Sequence, residues 1–295
     1  MAQNRAFMND DGGLGLLYLV GTPIGNLEDL SPRALAVLRS VSVIAAEDTR
    51  RTLKLLNHFG IKTKMVSYHR YNEAERLPEL LALLAEGRSV ALVSDAGMPG
   101  ISDPGERLVR AAREAGFPVT PIPGPSAFLL ALAASGLPTG DFRFISFLPR
   151  GAKERRASLD RIAGETGTTV LYEAPHRLAR TLAELRDALG GEREVVVARE
   201  LTKVHEEFWR GSLAEAAARY GVNPVKGEIT LVIAGRGKEA RAAPSFTDGL
   251  ARVGKLVEEG IGLMAAVRRV AKETGLSKNA LYRRYLAEKT SSQKD

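Results

Sequence analysis

Short apolar runs alternate with longer segments whose apolar residues recur at helical spacing through the first half of the chain. The runs predict buried strands at residues 16–20, 41–45, 64–68, 89–93 and 118–122. The amphipathic segments predict helices at residues 32–39, 49–58, 73–86, 105–115 and 127–134. Continuous apolar strands separated by such helices are typical of a mainly parallel sheet that is covered on both faces.

A second block of this kind follows the glycine- and proline-containing segment 136–140. Its strands are predicted at residues 142–148, 168–172, 194–199 and 228–234, and its helices at 153–163 and 177–189, with a further segment at 213–220. The pattern indicates a second α/β domain of ordinary size but leaves the relative direction of its strands open.

The C-terminal part of the chain differs from the rest in charge. Residues 236–295 hold 13 Lys and Arg against 7 Asp and Glu, a net charge of +6, whereas residues 1–235 hold 29 against 28, a net charge of +1. Three short helices are predicted there, at 249–259, 262–274 and 278–287, the last two joined by a turn at Gly275. The predicted organisation is a disordered tail at 1–14, α/β domains at 15–137 and 138–235, a linker at 236–246, and a basic helix-turn-helix-like module at 247–290.

The basic module favours a polyanionic partner, because a helix-turn-helix with exposed cations can contact nucleic-acid phosphates. The candidate RNA-binding residues lie on its last helix and are Lys278, Asn279, Arg283 and Arg284. A small packing module with a solvated basic face is the alternative interpretation.

The composition excludes several classes of protein. The chain has no cysteine, so disulfides, thiolate nucleophiles and cysteine-ligated metals are absent, and its four histidines are scattered, so no metal site is expected. It contains no Walker-type phosphate loop, no G-x-G-x-x-G and no G-x-S-x-G. With no signal peptide or membrane-spanning run in the sequence, a cytoplasmic protein is expected.

Three loops rich in glycine and proline follow predicted strands of the first block, at residues 21–26, 95–105 and 123–127. Ligands of open α/β sheets bind at the carboxyl ends of the strands, where such loops lie. Because these loops offer backbone groups rather than charged side chains, they suit a ligand whose parts are close to neutral, such as adenosine joined to a zwitterion.

Seven segments of the chain resemble those of the tetrapyrrole-methylase-like S-adenosylmethionine enzymes. They are VGTPIGN, AEDTRRT, SDAGMPGISDPG, PIPGPSA, LYEAPHR, ARELTKVHEE and GEITLVIAG. Within this family they are most similar to the bacterial enzymes that methylate the ribose 2′-hydroxyl of a cytidine in the decoding region of 16S rRNA. One departure stands out: after Asp95, Ala96 and Gly97 replace the pattern that the tetrapyrrole enzymes carry, and no aromatic residue follows nearby. This departure counts against a porphyrin-like substrate.

The resemblance implies two α/β domains with S-adenosylmethionine in the cleft between them, a homodimer, and 16S rRNA or the small ribosomal subunit as partner. By motif position, the cofactor-binding residues it implies are Pro23, Asp95, Gly97, Met98, Ser126, Ala127, Tyr172, Gly227 and Glu228. Asp95 is expected to accept hydrogen bonds from the ligand; a turn-forming aspartate bonded to its own backbone is the alternative.

Methylation of a ribose hydroxyl calls for a group that takes up or stabilises the hydroxyl proton. Charged residues that follow strands near the expected cleft are the catalytic candidates, namely Glu47, Asp48, Arg50, Arg199, Glu200 and Lys203. Of these, Glu200 or Lys203 is expected to act on the proton, and Arg50 and Arg199 to hold the RNA. Nearby charged residues, including Arg51, Arg70 and His205, are interpreted as members of surface ion pairs.

Other functions compatible with the sequence are a methyltransferase for a small molecule or tetrapyrrole, a non-catalytic RNA-binding protein on a methylase scaffold, and, more remotely, a transcriptional regulator with a ligand-sensing body. The basic tail and the missing tetrapyrrole motif argue against the first. Failure to bind S-adenosylmethionine would favour the second, and specific binding to duplex DNA the third.

Overall fold

The computed structural model describes residues 13–222, 225–236, 246–274 and 276–291. The chain divides into two compact units, residues 1–235 and 236–295. The expected disordered tail at 1–14, apart from its last two residues, lies outside the described part of the chain. So do most of the predicted linker at 236–246 and the predicted turn at Gly275.

The first sheet of the large unit has the strand order β3-β2-β4-β1-β5, and every neighbouring pair is parallel. Its strands are β1 (Leu17–Val20), β2 (Val43–Ala46), β3 (Met65–Ser67), β4 (Val90–Val93) and β5 (Val119–Ile122). The helices between and after them are α1 (Pro32–Ser40), α2 (Thr49–His58), α3 (Glu73–Ala85), α4 (Glu106–Glu114) and α5 (Ala127–Ser135). The predicted parallel sheet is therefore confirmed.

Alternation along the strands explains why helices cover both faces of this sheet. In β1, Tyr18 and Val20 pack into the core formed with α1 and α2, whereas Leu17 packs into the core formed with α3 and α4. Strands β2 and β4 are buried at every position, as the continuous apolar runs predict. With both faces covered, the ligand-accessible part of the sheet is the edge where the strands end.

The second sheet is mixed, which answers the question that the sequence left open. Its order is β6-β7-β10-β8-β9; β6 and β7 are parallel and the other neighbours are antiparallel. The strands are β6 (Phe142–Phe147), β7 (Thr168–Glu173), β8 (Glu194–Arg199), β9 (Glu207–Ser212) and β10 (Ile229–Ile233), and the helices are α6 (Ala152–Gly164), α7 (Pro175–Leu189) and α8 (Leu213–Val222). Strand β9 was not predicted: its sequence EFWRGS mixes charge and glycine, which an edge strand tolerates.

Helix α5 links the two sheets. Its sequence AFLLALAAS is apolar around its whole circumference, as expected of a helix with neighbours on several sides. Ala131 and Leu132 pack with Val170, Val196 and Val232 of the second sheet. The carboxyl ends of the first sheet and one face of the second sheet are thereby held together in one unit.

The small unit contains α9 (Phe246–Glu258), α10 (Leu263–Thr274) and α11 (Lys278–Ser291). Its core includes Val253, Val267, Val270 and Leu281, so the three helices pack around a common apolar centre. No helix within the described ranges of either unit is long and apolar enough to cross a membrane.

Candidate active site

A cavity of about 380 Å³ lies where the loops after β1, β4 and β5 meet the second sheet. Its first wall includes Ile24, the segment 96–98, the segment 101–103 and the start of α5. Its second wall is formed by Phe147, the segment 172–175, Leu201 and the segment 227–230. The volume falls within the usual range for small-molecule sites, and its place at the strand ends is where α/β sheets bind ligands.

Close backbone contact between the three loops explains their glycines. Thr22 and Gly97 exchange backbone hydrogen bonds of 2.9 and 3.0 Å, which join the β1 and β4 loops. Gly97 has a φ of +82°, a conformation that favours glycine. A Cβ on Gly21 would lie 2.7 Å from the Cα of Gly124, so the β1 and β5 loops could not approach as they do with larger residues.

Most residues that the resemblance assigns to the cofactor meet at this cavity. The predicted residues that line it are Gly97, Met98, Ser126, Ala127, Tyr172, Gly227 and Glu228. The sequence therefore identified both walls, although their residues are far apart along the chain. Lining residues that the prediction missed include Asp103, Phe147 and Glu173.

Pro23 and Asp95 line a neighbouring cavity of about 200 Å³, together with Arg51 and Lys54 of α2. Asp95 Oδ1 accepts a hydrogen bond of 3.0 Å from the backbone N–H of Asp48, and Asp95 Oδ2 lies 3.4 Å from a guanidinium nitrogen of Arg51. In this structure Asp95 thus ties the β4 loop to the start of α2. The expected contact of Pro23 and Asp95 with a cofactor stays a prediction.

The charge of the large cavity is one-sided. Its ionisable lining side chains include the carboxyls of Asp103, Glu173 and Glu228, and no Lys, Arg or His is found among its described lining residues. Glu173 is already engaged, since it accepts hydrogen bonds from Thr181 Oγ1 at 2.5 Å and from the Ala174 N–H at 2.8 Å. Glu228 and Glu173 are paired with Lys203 and Arg177, so the lining carries little net negative charge, and its lack of described cations disfavours a phosphate-bearing ligand.

The candidates after β8 form a closed ion-pair cluster beside the cavity. Lys203 Nζ lies 2.7 Å from Glu200 Oε1 and 3.2 Å from Glu228 Oε2, and Glu200 Oε1 also accepts the Glu228 N–H at 2.9 Å. The hydrogen bond from Lys203 lowers the pKa of Glu200. Burial opposes the charge of Lys203, but the bonds to Glu200 and Glu228 outweigh it and raise the pKa of Lys203.

The backbone of this ion-pair cluster is conformationally constrained. Glu200 adopts a φ of +53° and Thr202 a φ of +66°, a conformation that side-chain-bearing residues hold only when their surroundings enforce it. Arg199, next to the cluster, is paired with Glu207 of β9 at 2.9 Å. His205 is exposed.

The catalytic candidates that follow β2 differ in exposure to solvent and in how their charges are paired. Asp48 caps α2 by accepting the Arg50 N–H at 2.9 Å, and its pKa is lowered by its side-chain hydrogen bond with Arg50. Arg50 itself is 88% exposed. Glu47, by contrast, has its pKa raised by burial, and the nearby charge of Asp95 adds to the rise.

Asp103 is the chemically most unusual residue of the site. Burial and the charge of Glu47 raise the pKa of Asp103 to about 7. Its sequence context does not mark it, because SDPG is an ordinary turn sequence. Only the fold brings the end of β2 beside the distal part of the β4 loop.

The predicted RNA-binding residues lie in the small unit. Lys278, Asn279, Arg283 and Arg284 are all exposed on α11. On α10, Arg268, Arg269 and Lys272 are exposed as well. The described surface of this unit thus carries several cations, which agrees with the charge excess in the sequence.

Comparison with known proteins places the chain in a family. The sequence profile of the Tetrapyrrole (Corrin/Porphyrin) Methylases matches residues 16–217. A protein of Synechocystis sp. named Ribosomal RNA small subunit methyltransferase I is 51% identical over 271 residues, which cover 91% of this chain and 96% of that protein. A protein of the same name from Thermotoga maritima is 49% identical over 223 residues, which cover 76% of this chain and 100% of that protein.

The fold is shared with a solved structure of uroporphyrin-III C-methyl transferase from Thermus thermophilus, complexed with S-adenyl homocysteine. The TM-score is 0.53 at 22% identity, and the match covers 77% of this chain and 100% of that one. The fold class and the family predicted from the motifs are both confirmed. The chain belongs to the family of tetrapyrrole (corrin/porphyrin) methylases.

Proposed function

We propose that the protein transfers a methyl group from S-adenosylmethionine to the ribose 2′-hydroxyl of a cytidine in the decoding region of 16S rRNA. The observation that carries this proposal is a cavity lined by carboxylates, without described cationic lining, in a chain of the methylase family. S-adenosylmethionine carries a sulfonium, an ammonium and a carboxylate group, so its net charge is positive, and a lining without described cations is compatible with it. The relatives named Ribosomal RNA small subunit methyltransferase I support the RNA substrate.

The residues of the cavity fit this cofactor. Gly97, Ser126 and Ala127 bring backbone groups to its wall, and backbone carbonyls make weak C–H···O contacts of the kind a sulfonium methyl group can use. Tyr172 and Phe147, with ring centroids 5.6 Å apart, offer aromatic surface. When bound, S-adenosylmethionine would supply a methyl carbon on a positively charged sulfur. Transfer to the ribose oxygen would form the O–C bond and leave the electron pair of the broken S–C bond on sulfur.

The chain's own task is then alignment and proton transfer, since the donor is already activated. The ion-pair cluster of Glu200, Lys203 and Glu228 would hold one wall in place for this alignment. Phe147 lines the cavity and is 50% exposed, so its ring is available to stack on a nucleobase.

The cations of α10 and α11 are proposed to bind phosphates of the RNA. Such contacts position a nucleic acid without selecting its sequence, so removing them should weaken substrate binding more than cofactor binding. A chain ending at Gly235 should bind S-adenosylmethionine like the full chain and bind small subunits at least tenfold more weakly. Equal affinity for subunits, measured by filter binding at fixed salt, would remove the small unit from the proposal.

The enzyme is proposed to act as a homodimer in the cytoplasm, where its ribosomal substrate is found. Leu129 and Leu130 of α5 are 49% and 40% exposed, whereas Ala131, Leu132 and Ser135 of the same helix are buried. Exposed apolar side chains on a core helix are a common sign of an interface. Sedimentation should give a dimer for the wild type, and L129E should shift it toward monomer; a monomeric wild type would contradict this part.

The direct test is incubation of the protein with tritiated S-adenosylmethionine and small ribosomal subunits from a strain that lacks it. The proposal requires label in the RNA. Label absent from RNA, with cofactor binding intact by calorimetry, would favour a small-molecule substrate. Absence of cofactor binding would favour a non-catalytic RNA-binding scaffold.

A further inference from the structure

Asp103 is held on the cavity wall by a tightly constrained part of the β4 loop. Ser102 has a φ of +69° and Gly105 a φ of +141°, so the backbone turns sharply on both sides of Asp103. The Gly105 N–H donates to Glu73 Oε1 at 3.1 Å, and the Gly100 N–H donates to the carbonyl of Pro104 at 3.2 Å. A loop anchored in this way holds Asp103, which lines the cavity, in a fixed position.

The surroundings of Asp103 carry more negative than positive charge. Glu47, from the end of β2, and Asp95, from the start of the same loop, both act to raise its pKa, in addition to burial. A hydrogen bond with Ser94 and the charge of Arg70, which follows β3, act in the opposite direction. Across the cavity, the charge of Asp103 contributes to the raised pKa of Tyr172, so the two side chains are within electrostatic reach.

The other carboxyls among the described lining residues are placed differently. Glu228 is bonded to Lys203, and Glu173 is bonded to Thr181 and paired with Arg177. Glu200, beside the cavity, is neutralised by Lys203, which makes it a weak proton acceptor. A general base works best when its pKa is near the working pH, and among these groups Asp103 meets this condition.

We propose that Asp103 is the catalytic base, which takes the proton of the ribose 2′-hydroxyl as that oxygen acquires the methyl group. The inference rests on the function proposed above. As the O–C bond forms and the S–C bond breaks, the O–H electron pair stays on oxygen and the proton moves to a carboxylate oxygen of Asp103. The proton is then released to solvent, and Glu47 is a positioning residue that acts on Asp103 through its charge.

The test compares D103N and D103E with the wild type and with D160N, which removes an exposed carboxyl on α6. Single-turnover methyl transfer to small subunits should fall by about 10²–10⁴-fold in D103N and remain normal in D160N. D103E should recover part of the rate. Calorimetry should give D103N a dissociation constant for S-adenosylmethionine within about threefold of the wild-type value, because the base acts on the other reactant.

Proton binding at Asp103 can be followed without turnover. In protein with ¹³C-labelled aspartate, the carboxyl signal that is missing from D103N should titrate near pH 7. In E47Q that midpoint should move to lower pH, because a negative neighbour has been removed, and the midpoint of the pH–rate profile should move with it.

The outcomes separate the two proposals. A wild-type protein that methylates subunits, together with a D103N variant that does so at the same rate and pH dependence, would overturn the role of Asp103 alone. Loss of S-adenosylmethionine binding in D103N, or a carboxyl that titrates near pH 4, would also overturn it. A wild-type protein that binds S-adenosylmethionine but never labels RNA would overturn the proposed function and this inference with it.

Discussion

Two groups of carboxylates, each with one member that lines the large cavity, differ in how their charge is balanced. On the second sheet, Glu200 and Glu228 share the ammonium group of Lys203 at 2.7 and 3.2 Å. After β2 and in the β4 loop, Glu47 and Asp103 are half-buried and interact electrostatically, and the cations that act on them, Arg51 and Arg70, offset only part of the cost of ionisation. The pKa of Glu200 is lowered, whereas those of Glu47 and Asp103 are raised.

Residue type alone does not mark a proton acceptor. A carboxylate whose charge is paired gains stability and loses basicity, so it can fix a wall of the site. A buried carboxylate with incomplete pairing costs stability and gains basicity near neutral pH. In this account the balanced cluster positions the ligands and the unbalanced one carries the proton chemistry.

The largest expected effect is on rate. E200Q should lower single-turnover methyl transfer less than about tenfold at saturating S-adenosylmethionine, whereas D103N should lower it at least about a hundredfold. Glu200 affects the shape of the wall, whereas Asp103 takes part in the reaction. Rapid-quench assays with both variants measure the ratio, and a larger loss in E200Q than in D103N would reverse the assignment of the two clusters.

A smaller effect is expected on folding stability when Lys203 is removed. K203A leaves Glu200, which is 20% exposed, and Glu228, which is 70% exposed, without their shared cation, so the free energy of unfolding should fall by about 1 kcal/mol. Urea denaturation at pH 7.5 measures the loss, with K62A, an exposed loop lysine, as control. If K203A and K62A were equally stable, the cluster could not be what fixes this wall.

The smallest expected effect is a gain of stability in D103N. The folded-state pKa of Asp103, about 7, lies above the ordinary aspartate value of 3.8, so the folded protein binds this proton more tightly than the unfolded chain does. Its contribution to stability is full below pH 3.8 and is lost as the pH rises to 7. At pH 8, D103N should therefore be more stable than the wild type by about 1 kcal/mol, after allowance for solvent screening.

This gain should vanish toward acidic pH, where the wild-type carboxyl is protonated and resembles the amide. Thermal unfolding at pH 5 and pH 8 compares the two proteins directly. A D103N variant that is less stable than the wild type at both pH values would indicate that Asp103 holds the loop together and is not a strained base.

Much of the fold was predictable because it depends on local patterns. The continuous apolar runs of β2 and β4 predict a parallel sheet, and the Ser31-Pro32 start of α1 is a strong local signal: Ser31 Oγ accepts the Ala34 N–H at 3.1 Å. The direction of the strands in the second sheet was not predictable, because it is set by pairing between distant segments. The edge strand β9 was missed for the related reason that one unpaired side permits polar residues.

The candidate site also has features that the sequence predicts and features that depend on contacts between distant segments. The resemblance of the motifs to the family assigned nine residues to the cofactor, and the structure places seven of them on the wall of one cavity. The raised pKa of Asp103 depends on Glu47, a residue more than fifty positions away in the chain, and on burial, which a turn sequence does not reveal. The balance of charge that separates Glu200 from Asp103 exists only in three dimensions.

The most direct test of the central claim is the identity of the methylated nucleoside. After transfer of tritiated methyl to small subunits that lack the modification, the RNA would be digested to nucleosides and separated against standards. The account predicts label in 2′-O-methylcytidine, the product of a hydroxyl that has lost its proton. Label on a base, or in any other nucleoside, would contradict both the proposed reaction and the role of Asp103 in it.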